Sequence, residues 1–207
     1  LESVGKVKNF KVSLCSIQEI RGFVETWHYS KNVNGLISDY CFKLEDESGQ
    51  LIGGMIYGRI AMAGVWKKYV DDESKLIELR RLCCIDKTPK NTESYFIGQT
   101  LKYLSKHTTI ESVISYADQS HNHSGIIYQA SNFMHLGMTS KGKVIIFGDR
   151  VYHDKAIRTK YKGNLKPFAQ RLKDALDTGV AYYSESKPKH IYMYYLNKKI
   201  RKLKPIC

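Results

Sequence analysis

The sequence contains no long apolar run. None of its hydrophobic stretches approaches the roughly 18–20 residues that a bilayer span needs. The opening segment LESVGKVKNF, residues 1–10, has no apolar core of the signal-peptide kind. These two absences predict a soluble protein of the cytoplasm. The first residue is Leu1 rather than Met, which predicts a processed or tagged start. Cysteine is sparse and unpatterned. Cys15, Cys41, Cys83, Cys84 and Cys207 make an odd number and include no C-x-x-C pair. That excludes a disulfide framework and a zinc knuckle, and predicts buried thiols in a reducing compartment. No G-x-S-x-G elbow frames any serine, so that class of hydrolase is excluded too. No repeat or low-complexity linker divides the 207 residues.

Acidic residues are also few. Twenty Asp and Glu face thirty-three Lys and Arg, a formal net charge of +13. An anionic cofactor alone would not need that excess, so the balance predicts a nucleic-acid partner. The charge is uneven. Seven basic residues and no acid lie between Lys187 and Cys207, with Tyr192, Tyr194 and Tyr195 among them. Basic and aromatic residues interleaved in this way predict phosphate contacts plus base stacking.

Hydrophobic residues make up 43% of the chain, enough for a packed core. Periodicity predicts strands at Phe10–Leu14, Tyr40–Leu44, Leu51–Tyr57, Leu76–Ile85 and Val113–Ala117. It predicts helices at Ser16–Trp27, Tyr95–Lys106, Gly125–Phe133 and Pro167–Asp177, and an irregular connection at Ala61–Asp72. A hairpin is expected at Lys143–Phe147 and Arg150–Tyr152, then strands at Ala181–Tyr183 and Ile191–Leu196. The order is that of an α/β protein with one mixed, mostly antiparallel sheet flanked by helices. Residues 1–165 are read as the main domain. Residues 166–207 are read as a basic extension packed on it or continuing it.

Four stretches carry chemistry. Asp118 stands just past a strand end, where a carboxylate can accept a proton or simply cap the next helix. His121 and His123 have the i, i+2 spacing of a metal pair in extended chain, but polar loop histidines look the same and no metal site is predicted. WHYSK, Trp27–Lys31, puts an imidazole, a phenol and an amine at a helix end, where His28 suits a proton shuttle. PKNTES, Pro89–Ser94, precedes a helix. There Asn91, Thr92 and Ser94 suit either an anion or a cap.

With ELRRL (Glu78–Leu82), SYAD (Ser115–Asp118) and HSGIIYQASNF (His123–Phe133), these segments stand in one order over residues 20–165, and YHDKAIRTKY follows. The set resembles the Mom family of bacteriophage DNA-modification proteins. The resemblance implies the fold of the GCN5-related N-acyltransferases. It implies an enzyme that places a carbamoylmethyl group on the exocyclic N6 of adenine in double-stranded DNA, shielding it from restriction, in the host cytoplasm. Acetyl-CoA enzymes of that superfamily carry a glycine-rich pyrophosphate loop. Here the matching loop is KTPKNTESYFIG, whose one glycine is Gly98. An aminoacyl-tRNA bearing glycine is therefore a second candidate donor. In this scheme Tyr29, Tyr116 and Tyr128 face the base and Asp118 takes the N6 proton. Ser115 or Tyr128 holds the donor carbonyl or leaving group, and His28 relays the proton. Arg81, with Arg80 as rival, counters donor charge beside Asn91, Thr92 and Ser94. Lys31, Lys67, Lys68, Lys198, Lys199, Arg201 and Lys202 grip phosphates, from DNA and, if used, tRNA. Three other classes compete. They are an acetyl-CoA-dependent N-acetyltransferase acting on a protein or small amine, a non-catalytic DNA-binding protein, and a metal-dependent enzyme centred on His121 and His123, for which iron is one candidate metal.

Overall fold

The computed structural model describes residues 6–119 and 124–197. Twelve strands and four α-helices follow along the described chain: β1 (Lys11–Cys15), α1 (Ile17–Trp27), β2 (Tyr40–Glu45), β3 (Leu51–Gly58), β4 (Leu76–Cys84), α2 (Thr92–His107), β5 (Ser112–Asp118), α3 (Ile126–Ala130), β6 (Met134–Met138), β7 (Lys143–Phe147), β8 (Arg150–His153), β9 (Lys160–Tyr161), β10 (Asn164–Leu165), α4 (Pro167–Asp177), β11 (Ala181–Glu185) and β12 (Lys189–Tyr195). Seven strands form the main sheet in the order β1-β2-β3-β4-β5-β12-β6. Every pair in it is antiparallel except β4–β5. A parallel pair needs a crossover, and α2 supplies it. Among the described residues no helix is long and apolar enough to cross a membrane.

Both sheet faces are covered. On one face α2 lays Phe96, Ile97, Leu101 and Leu104 against Phe42, Met55, Tyr57 and Val113. The spacing is that of a helix stripe. Thr100 sits fully buried in that stripe, and its hydroxyl is satisfied by the Ile97 carbonyl at 2.9 Å and Tyr57 Oη at 2.7 Å. On the other face α1 packs Ile20 and Val24 over Ile56. The Glu19 carboxylate starts that helix by accepting from the Ser16 N–H at 2.7 Å. Close approach depends on Gly54 in β3, where an added Cβ would lie 3.1 Å from Val24 Cγ2. A second sheet, β11-β7-β8, carries α4 across one face through Ile145, Leu172, Ala175 and Ala181.

Two sequence expectations are corrected. The helix expected over Gly125–Phe133 lasts only five residues, Ile126–Ala130. Asn132 adopts a left-handed φ of 61°, which stops it, and Met134–Met138 then pairs with β12 as an edge strand. MHLGM has no β-branched residue, so strand propensity gave no signal there. The tyrosines expected to stack on bases are largely core. Tyr192 is 1% exposed and Tyr195 4%, because β12 is an interior strand of the main sheet, inserted between β5 and the edge strand β6. Tyr192 Oη donates to the Ser124 carbonyl at 2.7 Å and accepts from Gln129 at 3.0 Å. Residues 166–197 thus supply α4, β11 and an interior strand of the main sheet.

Tyr192→Ala is expected to cost about 3–5 kcal/mol of stability, the range for emptying a buried aromatic site. Denaturant unfolding measures it; an unchanged midpoint would return Tyr192 to the surface.

Candidate functional site

β4 and β5 pair only at Leu76–Ser112, Ile77–Val113 and Glu78–Ile114. Beyond Glu78 no ladder bond joins them. A bulge contributes to the parting. The β3–β4 register shifts between Ile56 and Tyr57, leaving Arg80 without a partner in the ladder. The Arg81 guanidinium ties this bulge, donating to the Arg80 carbonyl at 2.7 Å and reaching the Asn32 carbonyl at 3.4 Å. Ser115 Oγ donates to the Leu79 carbonyl at 3.1 Å where the strands separate. The parting opens a cavity of about 710 Å³ whose walls come from both sides of the sheet.

On the α1 side the walls include His28, Tyr29, Glu78, Tyr116, Asp118 and Lys189. Glu78, Tyr116 and Asp118 share a sheet face by strand alternation. Lys189 faces Asp118 across the β5–β12 ladder, and its Nζ lies 2.9 Å from Oδ2. The Asp118 side chain is 16% exposed, so this is a sheltered ion pair at the rim. Burial pushes the Glu78 carboxyl above the ordinary carboxylate range, against the pull of Arg80, Arg81 and Lys189. The Tyr116 phenol is raised by burial, with Tyr69 and Glu78 adding to it. Tyr29 is raised by burial as well, and its ring lies 4.2 Å from that of His28. His28 is 5% exposed, and its Nδ1 accepts from the Ser30 N–H at 3.1 Å. That bond puts the neutral ring's proton on Nε2, so in this tautomer His28 is a donor rather than a base.

On the α2 side stand Asn91, Glu93 and Ser94 from the start of α2, and Ile126, Ile127 and Tyr128 from α3. Gly125 precedes α3 with φ 78°, and a Cβ there would overlap the Tyr192 ring. Tyr128 is pushed up to about 12 by burial; a bond with Ser115 opposes this, and Tyr29, Glu78 and Tyr192 add to it. Tyr29 and Glu78 act on a phenol from the opposite side, which marks the parting as one electrostatic space. The guanidinium Nε of Arg81 is buried without a partner beside the same cavity.

Several expected site residues are placed differently. Thr92 is fully buried, and its hydroxyl donates to the Pro89 carbonyl at 2.7 Å, so it offers no side chain to a ligand. Ser115 is 1% exposed, its hydroxyl donates to Leu79 and it also bonds Tyr128, so it shapes the parting. Lys31, on a loop, and Lys67 and Lys68, at the end of the short 3-10 helix Val65–Lys68, are exposed and do not line the cavity. His121, His123, Lys198, Lys199, Arg201 and Lys202 lie outside the described residues. Among the described residues no three His, Cys, Asp or Glu side chains gather as a metal-binding group. Cys83 lines the cavity, but burial lifts its thiol to about 12, leaving no thiolate nucleophile near neutral pH.

Three lining residues escaped sequence reasoning. Glu78 had a signal, an acid inside an otherwise buried strand run. Lys189 had none, since only the β5–β12 register brings it to Asp118. Glu93 reads as an ordinary first-turn acid. At the start of α2 it bears on the donor, because the pyrophosphate of CoA would meet a carboxylate there. The preceding loop adds Pro89, which has no N–H, and Thr88, whose N–H is already bonded to the Ile85 carbonyl. This loop does not fit a pyrophosphate cradle.

A mixed sheet whose one parallel pair parts around a cavity, with helices on both faces, is the architecture of the GCN5-related N-acetyltransferases. The spermidine/spermine N-acetyltransferase SpeG of Vibrio cholerae superposes with a TM-score of 0.52 at 9% identity, covering 96% of this chain and 99% of that one. NAA60 of Arabidopsis thaliana, solved with acetyl-CoA, gives 0.53 at 11% identity, covering 91% and 99%. At such identities the likeness is one of fold. Within that fold the chain belongs to the Mom protein family, whose pattern it matches over residues 9–206. It is 30% identical over 134 residues to the methylcarbamoylase Mom of Escherichia phage Mu, an alignment covering 63% of this chain and 54% of that protein. The matched part is thus about half the length of that curated relative.

Glu78→Gln is expected to stabilise the fold near neutral pH. A raised carboxyl pKa means the folded state holds more protons than the unfolded one. Stability from Glu78 is therefore full below about pH 4.5, the ordinary value, and is lost as pH rises through the raised one. Melting curves across pH should show the variant's advantage growing as pH rises from 4 to 8; a constant gap would contradict the burial assigned to Glu78.

Proposed function

We propose that this protein transfers an acyl-derived, carbamoylmethyl-type group to the exocyclic N6 of adenine in DNA. The observation that carries the reading is the cavity through the parted strands, with two carboxylates and two phenols on its α1 side and a phenol on the other. The Mu relative's name, a methylcarbamoylase, supports the class of group moved.

The N6 lone pair is delocalised into the purine, so the amine needs its proton drawn off as it reacts. The base must also leave the duplex stack, at a cost of roughly a few kcal/mol. Tyr29 and Tyr116 offer faces against which an extruded purine can lie. Asp118, held by Lys189, accepts a hydrogen bond from N6 and fixes the amine's direction. The proton passes to Glu78 on the same wall, whose burial raises its affinity for it. With a glycyl-tRNA donor the N6 lone pair bonds the glycyl carbonyl carbon as the ester bond to the tRNA ribose oxygen breaks. This places on N6 a glycyl group, the isomer of carbamoylmethyl, which an internal rearrangement must then convert; an acetyl group lacks the nitrogen and would give only N6-acetyl. Tyr128 gives its phenolic proton to the leaving atom and regains one from solvent. Arg81 Nε, buried and without a partner, suits an oxygen of the transferred group.

The poor fit of the α2 loop to pyrophosphate places no step through CoA. A glycyl-tRNA and acetyl-CoA are the two donors to compare. Each is to be supplied to purified protein and DNA, followed by nucleoside mass spectrometry. One of them should yield a new adenosine adduct. Asp118→Asn should reduce the adduct about 100-fold, the scale of loss when a reacting group is no longer held in its direction, with the fold retained. Acetylation of free amines with no DNA adduct would replace this reading with that of an ordinary N-acetyltransferase.

A further inference from the structure

The charge that the chain carries is concentrated away from the cavity walls. Between Thr139 and Lys173 there are ten lysines and arginines against two acids, Asp149 and Asp154. Asp154 is already engaged by His153 at 2.6 Å and Arg158 at 3.5 Å. This stretch builds β7, β8, the short β9–β10 hairpin and most of α4. The hairpin turns on Lys162 and Gly163, with φ of 48° and 83°, the two positive values a tight two-residue turn requires. Residues 160–164 are exposed without interruption, so the turn stands clear of the body. Tyr161 is 64% exposed at this tip, flanked by Lys160 and Lys162, and Lys162 Nζ lies 5.5 Å from its ring centre. An exposed tyrosine between two lysines gains nothing from the fold that holds it.

The lobe is joined to the acceptor wall by a continuous ribbon. Lys189, which pairs with Asp118, bonds Thr139 through its carbonyl at 2.9 Å and its N–H at 3.0 Å. Next along, Ser186 and Gly142 exchange bonds at 2.8 and 3.0 Å, and β11 and β7 continue the pair. From Lys189 to Glu185 is four residues, roughly 13 Å of extended chain. The basic lobe therefore begins at the rim where the acceptor enters, and the donor-side helices α2 and α3 lie on the opposite face of the sheet.

We propose that this lobe seats the DNA duplex, with the Lys160–Lys162 hairpin as its groove contact. The two lysines meet phosphates on either side of the groove and Tyr161 lies against the sugars or an opened step. The proposal rests on DNA being the acceptor, as argued above. It assigns docking to a folded lobe on the acceptor side.

Fluorescence anisotropy of the full chain with a labelled duplex, titrated across salt, tests it. Lys160→Glu with Lys162→Glu should weaken binding at least tenfold and flatten the salt slope by about two. Tyr161→Ala should weaken binding without changing the slope. Lys102→Glu with Lys106→Glu, exposed on α2, is the control and should change affinity less than twofold. All these residues are exposed, and unchanged melting temperatures confirm folding. If wild type binds and the hairpin pair binds equally well, the lobe assignment is overturned while DNA stands as acceptor. If wild type binds no duplex, both fall. If the hairpin pair loses only tRNA binding, the lobe serves the donor and the assignment to DNA is wrong.

Discussion

The site depends on an interrupted pairing. β4 and β5 share three residue pairs and then separate, and the candidate site's side chains among the described residues are arranged around that separation. The gap is tolerated because each strand keeps an antiparallel neighbour on its other side. β3 holds β4 and β12 holds β5 along their lengths. The gap therefore costs only the bonds not made between β4 and β5. Ser115, Arg81 and the bulge at Arg80 take up part of that cost by bonding the carbonyls of Leu79, Arg80 and Asn32.

This constraint explains which part of the fold the sequence showed and which it hid. Ile20 and Val24, or Phe96, Ile97, Leu101 and Leu104, repeat at helical spacing and mark α1 and α2 from the residues alone. Tyr116 and Asp118 were legible as neighbours on one face because strand alternation is local. Lys189 was not, since it comes from 71 positions later in the chain and its meeting with Asp118 is a matter of register between β5 and β12. The same insertion of β12 turned Tyr192 and Tyr195 from expected surface stackers into core. A basic, tyrosine-rich composition describes both a nucleic-acid surface and a buried strand followed by basic residues, and only the strand order separates them. Thr92 and Ser115 failed as ligands for a similar reason. Their hydroxyls have the right chemistry, but nearby carbonyls at Pro89 and Leu79 claim them first.

The electrostatics of the cavity divide its two carboxylates. Both line the α1 side, yet one is anchored to a lysine at the rim and the other is buried above its usual range. Opposed environments of this kind assign different roles to chemically similar groups. The rim carboxylate can direct an amine because its partner keeps it in place. The buried one can take a proton because water does not hold its charge. A reaction that brings an amine in from one side of a sheet and a donor from the other needs that order of positions, with the proton acceptor deeper than the guide. The phenol of Tyr128, raised by its own burial and by Glu78 and Tyr29, completes the arrangement from the far side. In the proposed transfer a proton gained at Glu78 would be matched by one released at Tyr128, leaving the cavity's net charge unchanged. That neutrality matters in a low-dielectric gap, where any uncompensated charge would cost far more than in water.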